Sequence, residues 1–409
     1  MAAKALRRRD LEVHLGSSGQ VIGHLHLGSG KRSAFSYDER WLRDPKFFTL
    51  SPDLLPVLGV QHPQRVFFDA LADTVPDSWG ERVIRRAHAK LRQHDRDTPP
   101  LEPVDFLLWV DDEARVGALR LFDPQVRMYL RSSNEQRHVP PLVDLDKVVQ
   151  AARALEAGTE STQDLQYLLG LGTSLGGARP KSTVRDTDGR LALGKFPSQA
   201  DQRDVIRGEV LAMRLAAKAG IHTAAARVEM INGTAVAIIR RFDRTTQGGR
   251  IPYVSAATML QSDGRDMVHA YTELADVLLQ EGAAPTIDMH QLWRRLVFNF
   301  LICNTDDHLR NTGFLYDARN HGWRLSPAFD LNPMPGDRRE SKTWLTEDSG
   351  PIDNRHVLME GASYFRLDAT EAAAIWKEVA QVVTGWRVVA KELGMTNSDL
   401  TDFAPAFAG

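Results

Sequence analysis

The chain has 409 residues, 43% of them hydrophobic and 25% charged, so it can bury a sizeable core divided into two or three packed parts. Its 51 basic and 53 acidic residues leave a net charge of −2, which excludes the electrostatic excess of a protein that holds DNA unaided. A single cysteine, Cys303, excludes an intramolecular disulfide and a multi-cysteine zinc site, and reads as buried packing in a reducing compartment.

No run of about 18 apolar residues occurs, and the basic opening Met1 to Arg9 lacks an apolar stretch, so a cytoplasmic protein with no membrane span is expected. From Leu11 to about Phe122, β-like runs (Leu11–Leu15, Val21–Leu27, Val116–Phe122) alternate with helical stretches such as Trp79–Gln93, the pattern of a small α/β unit. The polar segment Arg131 to His138 leads into a predicted helix at Val143–Ala157.

Two turn dipeptides punctuate the middle third. Asp188-Gly189 joins Thr183–Arg185 to Leu191–Lys195, and Asn232-Gly233 joins Arg227–Ile231 to Ala235–Arg240. Both predict type I′ hairpins, because Asn or Asp followed by Gly tolerates positive φ. Between them a helix over Arg207–Ala219 ends at Gly220, a suitable C′ residue. Beyond Gly249 the pattern is helical, with long elements predicted at Met267–Glu281, Met289–Asn304 and Ala369–Leu393 and with Asp288 as N-cap of the second. One hairpin, Gly313–Tyr316 with Trp323–Ser326, interrupts them.

Four elements carry chemistry. The loop from Gly172 to Lys181 holds Ser174, Leu175, Gly176, Gly177 and Ala178, and its glycines let successive N–H groups approach an anion. It also spells Gly-x-Ser-x-Gly, but a hydrolase elbow on Ser174 needs a strand before the serine and a helix after it, and here the order reads reversed. Lys195 ends the hairpin after the loop, where a lysine serves as a point charge on ATP phosphates, and Glu209 on the next helix is a possible ion-pair partner.

The third element runs from Asn304 to Asn311 behind the apolar segment Leu296–Ile302. Asp306 and Asn311 have the spacing of a kinase catalytic loop, in which Asp orients the hydroxyl nucleophile and Asn holds magnesium. Asp307 is adjacent, and spacing favours Asp306 as the base. The fourth, Ser326 to Asn332, offers Asp330 as second metal ligand, since Mg²⁺ takes one or two carboxylates together with phosphate oxygens and water. His308 reads as a hydrogen-bonded structural histidine. Arg241, Phe242 and Asp243, where the chain would cross between lobes, are placed to contact adenine by backbone groups, or else carry solvated charges.

Taken together, Thr173 to Lys181, Lys195-Phe196-Pro197, Arg241 to Arg244, Asn304 to Asn311 and Phe329-Asp330 resemble the HipA-like kinases. Phe35 to Asp38, Leu50-Ser51-Pro52 and Pro76 to Gly80 resemble that family's N-terminal subdomain, so the resemblance spans nearly the whole chain. It implies an α+β fold with two kinase-like lobes: an N-terminal subdomain over 1–125, a lobe with the glycine loop and ATP lysine over 126–248, and a helical lobe over 249–409. It also implies ATP and Mg²⁺ as cofactors, Asp306 as catalytic aspartate, Asn311 and Asp330 as magnesium ligands, Lys195 on the phosphates, nucleotide contacts from Lys181 and His308, and autophosphorylation of Ser174. The partners implied are a protein substrate such as an aminoacyl-tRNA synthetase and a HipB-like helix-turn-helix antitoxin, with DNA reached only through the antitoxin. Two further readings are a kinase-fold enzyme with a small-molecule or lipid acceptor and a non-catalytic co-repressor module.

Overall fold

The computed structural model describes residues 9–28, 32–130, 139–169, 171, 177–262, 268–336 and 340–408. Two compact units form, the first from 1–199 with 243–254, the second from 200–242 with 255–409. The fold is α+β as expected.

In the first unit β1 (Arg9–Leu15), β2 (Gln20–Leu27), β3 (Ser33–Tyr37), β4 (Leu119–Asp123) and β5 (Met128–Tyr129) make an antiparallel sheet in the order β3-β2-β1-β4-β5. Leu11 lies opposite Leu25 and Val13 opposite Gly23, which sends the alternate apolar residues to one buried face. Gly23 has to be glycine, because a Cβ there would stand 2.3 Å from the ring of Phe35, itself fully buried. The strand expected from Val116 begins only at Leu119. Gly117 has φ 71° and gives its N–H to the Asp243 carboxylate at 2.7 Å, which takes that residue out of the ladder.

Helix α1 (Ser78–His94) starts at Asp77, whose carboxylate accepts from the Gly80 N–H at 3.0 Å, and buries Trp79, Val83, Ile84 and Ala87 along one stripe. Next come α2 (Leu145–Ala157) and α3 (Thr162–Leu168), the latter opened by a Ser161–Asp164 capping box. The hairpin of β6 (Lys181–Arg185) and β7 (Leu191–Lys195) follows. Its turn is not the expected type I′. Only Gly189 has positive φ, and its N–H donates to the Asp186 carbonyl, so a wider loop closes the hairpin.

The second unit opens with α4 (Val205–Lys218), capped by Asp204 and closed by Gly220 at φ 76°. The hairpin of β8 (Ala226–Ile231) and β9 (Thr234–Arg240) turns at Asn232 and Gly233 with φ 46° and 79°, the expected type I′ geometry. Helix α5 (Tyr271–Glu281) precedes α6 (Pro285–Leu301), whose Met289, Leu292, Trp293, Leu296 and Val297 follow the i, i+3, i+4, i+7, i+8 pattern and are all buried. Asp288 is not the N-cap of α6. Pro285 occupies N1, and Asp288 lies inside the first turn, buried, with both carboxylate oxygens on Arg324 at 2.7 and 3.0 Å. The long helix expected over Ala369–Leu393 breaks at Gly385 into α7 (Ala369–Thr384) and α8 (Trp386–Glu392). No helix among the described residues is long and apolar enough to cross a membrane.

Candidate functional site

Helix α6 ends three residues earlier than its sequence pattern suggests. Cys303 takes φ 51°, and the Asn304 N–H reaches back to the Asn299 carbonyl at 2.8 Å, a left-handed stop of the Schellman kind. Cys303 is buried as expected, yet its strained backbone also sets where the acidic loop begins. That conformation carries no sequence signal, since glycine or asparagine normally marks it.

The loop then separates two adjacent carboxylates. Asp307 is 6% exposed. Its Oδ2 accepts from the Tyr271 hydroxyl at 2.7 Å, its Oδ1 from the Lys342 N–H at 2.6 Å, and its carbonyl oxygen from Thr343 Oγ1 at 2.7 Å. Burial pushes the Asp307 carboxyl above the usual carboxylate range, against the pull of these donors, and pushes the Tyr271 hydroxyl well above its ordinary value. Asp307 is thus a structural bracket between α5, the loop and the 342–343 segment. The Asp306 side chain is 41% exposed and its Oδ1 meets the Lys342 ammonium, so the residue favoured by spacing is also the accessible one.

Asn311 Nδ2 donates to the Asp306 carbonyl oxygen at 2.7 Å, which turns the amide and leaves Oδ1 buried without a protein partner. A buried amide oxygen with no donor is costly unless something else meets it. Asp330 has φ 55°, an uncommon conformation that Asp tolerates, and Asn332 Nδ2 donates to its Oδ1 at 3.2 Å. The ring of Phe329 packs at 5.2 Å from that of Phe242, which joins the turn before Asp330 to the end of β9. Among the described residues no group of three or more His, Cys, Asp or Glu side chains is placed to hold a metal. An amide oxygen and a carboxylate fit a magnesium ion, which takes hard oxygen donors and completes its shell with phosphate and water. The Nδ1 of His308 is buried with no hydrogen-bond partner. His308 lines a cavity of about 360 Å³ together with His269, Leu309, Arg310, Lys342 and Thr343.

In the first unit, Lys181 and Lys195 are direct cross-strand partners and both are buried, at 2% and 5% exposure. Lys195 is therefore no surface lysine. The Lys181 ammonium donates to Asp77 at 2.6 Å and to the Gly177 carbonyl oxygen, tying the exit of the glycine loop to the N-cap of α1. Burial raises the Asp77 carboxyl, with Lys181 and more weakly Lys195 acting the other way. In the sequence Asp77 stands only within the run Pro76 to Gly80; its tie to Lys181 spans 104 residues and has no local signal. Glu209 is buried on α4 of the second unit.

Gly177 and Ala178 are exposed, whereas Ser174, Leu175 and Gly176 lie outside the described residues. Helix α3 precedes that segment and β6 follows it, the reverse of a hydrolase elbow. The run Arg241 to Arg244 is not solvated. Arg241 is 3% exposed and Asp243 fully buried, its carboxylate shared by the Gly117 N–H and Arg244 Nη1, each at 2.7 Å, while Arg244 also donates to the carbonyls of Glu113, Arg115 and Gly117.

Residues 11–122 match the model of the HipA N-terminal domain and residues 173–386 that of the HipA-like C-terminal domain. A Sinorhizobium fredii protein named as a kinase, Y4mE, is 27% identical over 343 residues, covering 76% of this chain and 75% of that one. A Haemophilus influenzae protein also named as a kinase is 27% identical over 110 residues, 24% of this chain and 32% of its own. The Shewanella oneidensis HipA, solved with HipB and its operator DNA, shares the fold with a TM-score of 0.70 over 97% of this chain and 96% of that one, at 16% identity.

Proposed function

This chain belongs to the HipA family, and on that premise we propose that it is a magnesium- and ATP-dependent serine/threonine protein kinase acting as a toxin. The observation that carries the reading is the division of labour on the acidic loop: Asp306 is open to an incoming hydroxyl, Asp307 is locked into the core, and Asn311 presents an unpartnered oxygen beside them. In this reading Asp306 orients the acceptor hydroxyl and takes its proton, and Asn311 and Asp330 hold the ion. When bound, magnesium neutralises phosphate charge and orients the transferred group. Lys195, with Lys181 opposite, supplies positive charge for the α- and β-phosphates, and Asp77 tempers that charge so that two lysines tolerate burial together.

The chain that crosses at Arg241 and Phe242 contacts adenine through backbone groups, since the Asp243 carboxylate is occupied by its own neighbours. The acceptor is a translation protein such as an aminoacyl-tRNA synthetase. A HipB-like antitoxin restrains the toxin and carries it to DNA, as suggested by the company of the Shewanella relative. Phosphorylation of Ser174 switches the enzyme off, because about two negative charges on that loop compete with ATP for the same N–H groups. The test is phosphoproteomics after induction of wild type and Asp306→Asn, with mass spectrometry of Ser174 in both. New protein phosphosites and phospho-Ser174 in the wild type alone are expected; label appearing only on a small molecule or lipid would overturn the protein-acceptor reading.

A further inference from the structure

Lys342 stands 36 residues after Asp306 and belongs to none of the four motifs, yet it is held against the acidic loop at two levels. Its backbone N–H donates to Asp307 Oδ1 at 2.6 Å, and its neighbour Thr343, 3% exposed, donates to the Asp307 carbonyl oxygen. These bonds fix the Lys342 backbone from inside the core. Its side chain is 56% exposed and its ammonium rests on Asp306 Oδ1, at the rim of the cavity lined by His269, His308 and Arg310. An exposed ion pair alone contributes little to stability and needs no such clamp. What the clamp achieves is a mobile cation delivered to one fixed place, beside the carboxylate that receives the acceptor hydroxyl.

We infer that Lys342 is a further catalytic residue, whose ammonium orients Asp306 before reaction and moves onto the transferred phosphoryl group during it. The inference rests on the kinase reading above. In the step, the acceptor oxygen forms a bond to the γ-phosphorus while the bond from that phosphorus to the β–γ bridging oxygen breaks, its electron pair leaving with ADP. The hydroxyl proton passes to Asp306 Oδ2, the oxygen that Lys342 does not hold. Lys342 stays protonated throughout. As Asp306 gains the proton it loses its charge and its hold on the ammonium, while the phosphoryl oxygens and the departing ADP remain anionic. The cation therefore shifts towards the group whose charge must be stabilised, without a change in net charge at the site.

The full chain is assayed for single-turnover transfer from γ-labelled ATP, with ATP affinity measured by calorimetry, for wild type, Lys342→Ala, Lys342→Gln and Lys342→Arg. Loss of one such electrostatic contact slows transfer by about 10²-fold in the Ala and Gln variants, while ATP affinity stays within about twofold and Arg restores about tenfold of the loss. A merely structural lysine would not give that pattern, because its backbone bonds survive every one of these substitutions. Ala and Gln variants that transfer at the wild-type rate, or an Arg variant no faster than Ala, would overturn the role of Lys342 alone. A wild type that transfers no phosphate would overturn the kinase reading and this inference with it.

Discussion

The hydroxyl of Tyr271 donates to Asp307 Oδ2 at 2.7 Å, in a part of the second unit where both side chains are buried. Tyr271→Phe removes the donor and leaves a buried carboxylate oxygen without it, so unfolding by denaturant should show a loss of about 1–3 kcal/mol. Asp306→Asn, at a half-exposed position, should stay within about 0.5 kcal/mol of wild type. Equal losses in the two variants would mean that the adjacent carboxylates do not differ as described.

Asp306→Asn should instead slow phosphoryl transfer by roughly 10²–10³-fold, because the base can no longer accept the hydroxyl proton. Asn311→Ala removes the amide oxygen that has no protein partner and should raise the magnesium concentration needed for half-maximal transfer. Magnesium titration of the Asn311→Ala activity checks it; an unchanged midpoint would return Asn311 to a purely structural role through its bond to the Asp306 carbonyl.

Asp77 and Lys181 form a buried ion pair that also caps α1 and holds the Gly177 carbonyl. Lys181→Met leaves the Asp77 carboxylate without its closest cation and should cost about 3–5 kcal/mol, whereas Lys181→Met combined with Asp77→Asn should recover a large share of that loss. Additive losses in this double-mutant cycle would show that the two groups are not coupled.

Burial pushes the Asp111 carboxyl up from 3.8 to about 6, against hydrogen bonds from the backbone N–H groups of Glu113 and Ala114. A folded-state value above the unfolded one means that this group favours folding below the unfolded value and loses that contribution as pH rises through about 6. Between pH 5 and 8 wild type should therefore lose about 1–1.5 kcal/mol relative to Asp111→Asn, in urea unfolding measured at both pH values. Parallel pH profiles for the two proteins would contradict it.

The spacing of Asp306 to Asn311 and the order of glycine loop, lysine and acidic turns are legible in sequence because each lies within one loop or hairpin. The same holds for the Asn232-Gly233 turn, for Gly220 as helix stop and for the apolar stripe of α6, since backbone preference and 3.6-residue periodicity act over a few neighbours. Where a neighbour from elsewhere competes, local rules mislead. Asp288 looks like a cap but is drawn to Arg324, and the Arg244 guanidinium looks solvated but is spent on the carbonyls of Glu113, Arg115 and Gly117.

The sequence by itself determined the family, the α+β class and the short motifs that carry the proposed chemistry, because those are encoded in residues close along the chain. Only the tertiary structure decided which of two consecutive aspartates stays open, since burial depends on Tyr271 and Thr343 arriving from other elements. It alone brought Lys342 to Asp306 across 36 residues and Asp77 to Lys181 across 104. Ion pairs of that kind leave no periodicity or composition behind them: their partners are chosen by how the backbone packs, and a lone Lys or Asp reads the same whether it meets solvent or a buried opposite charge.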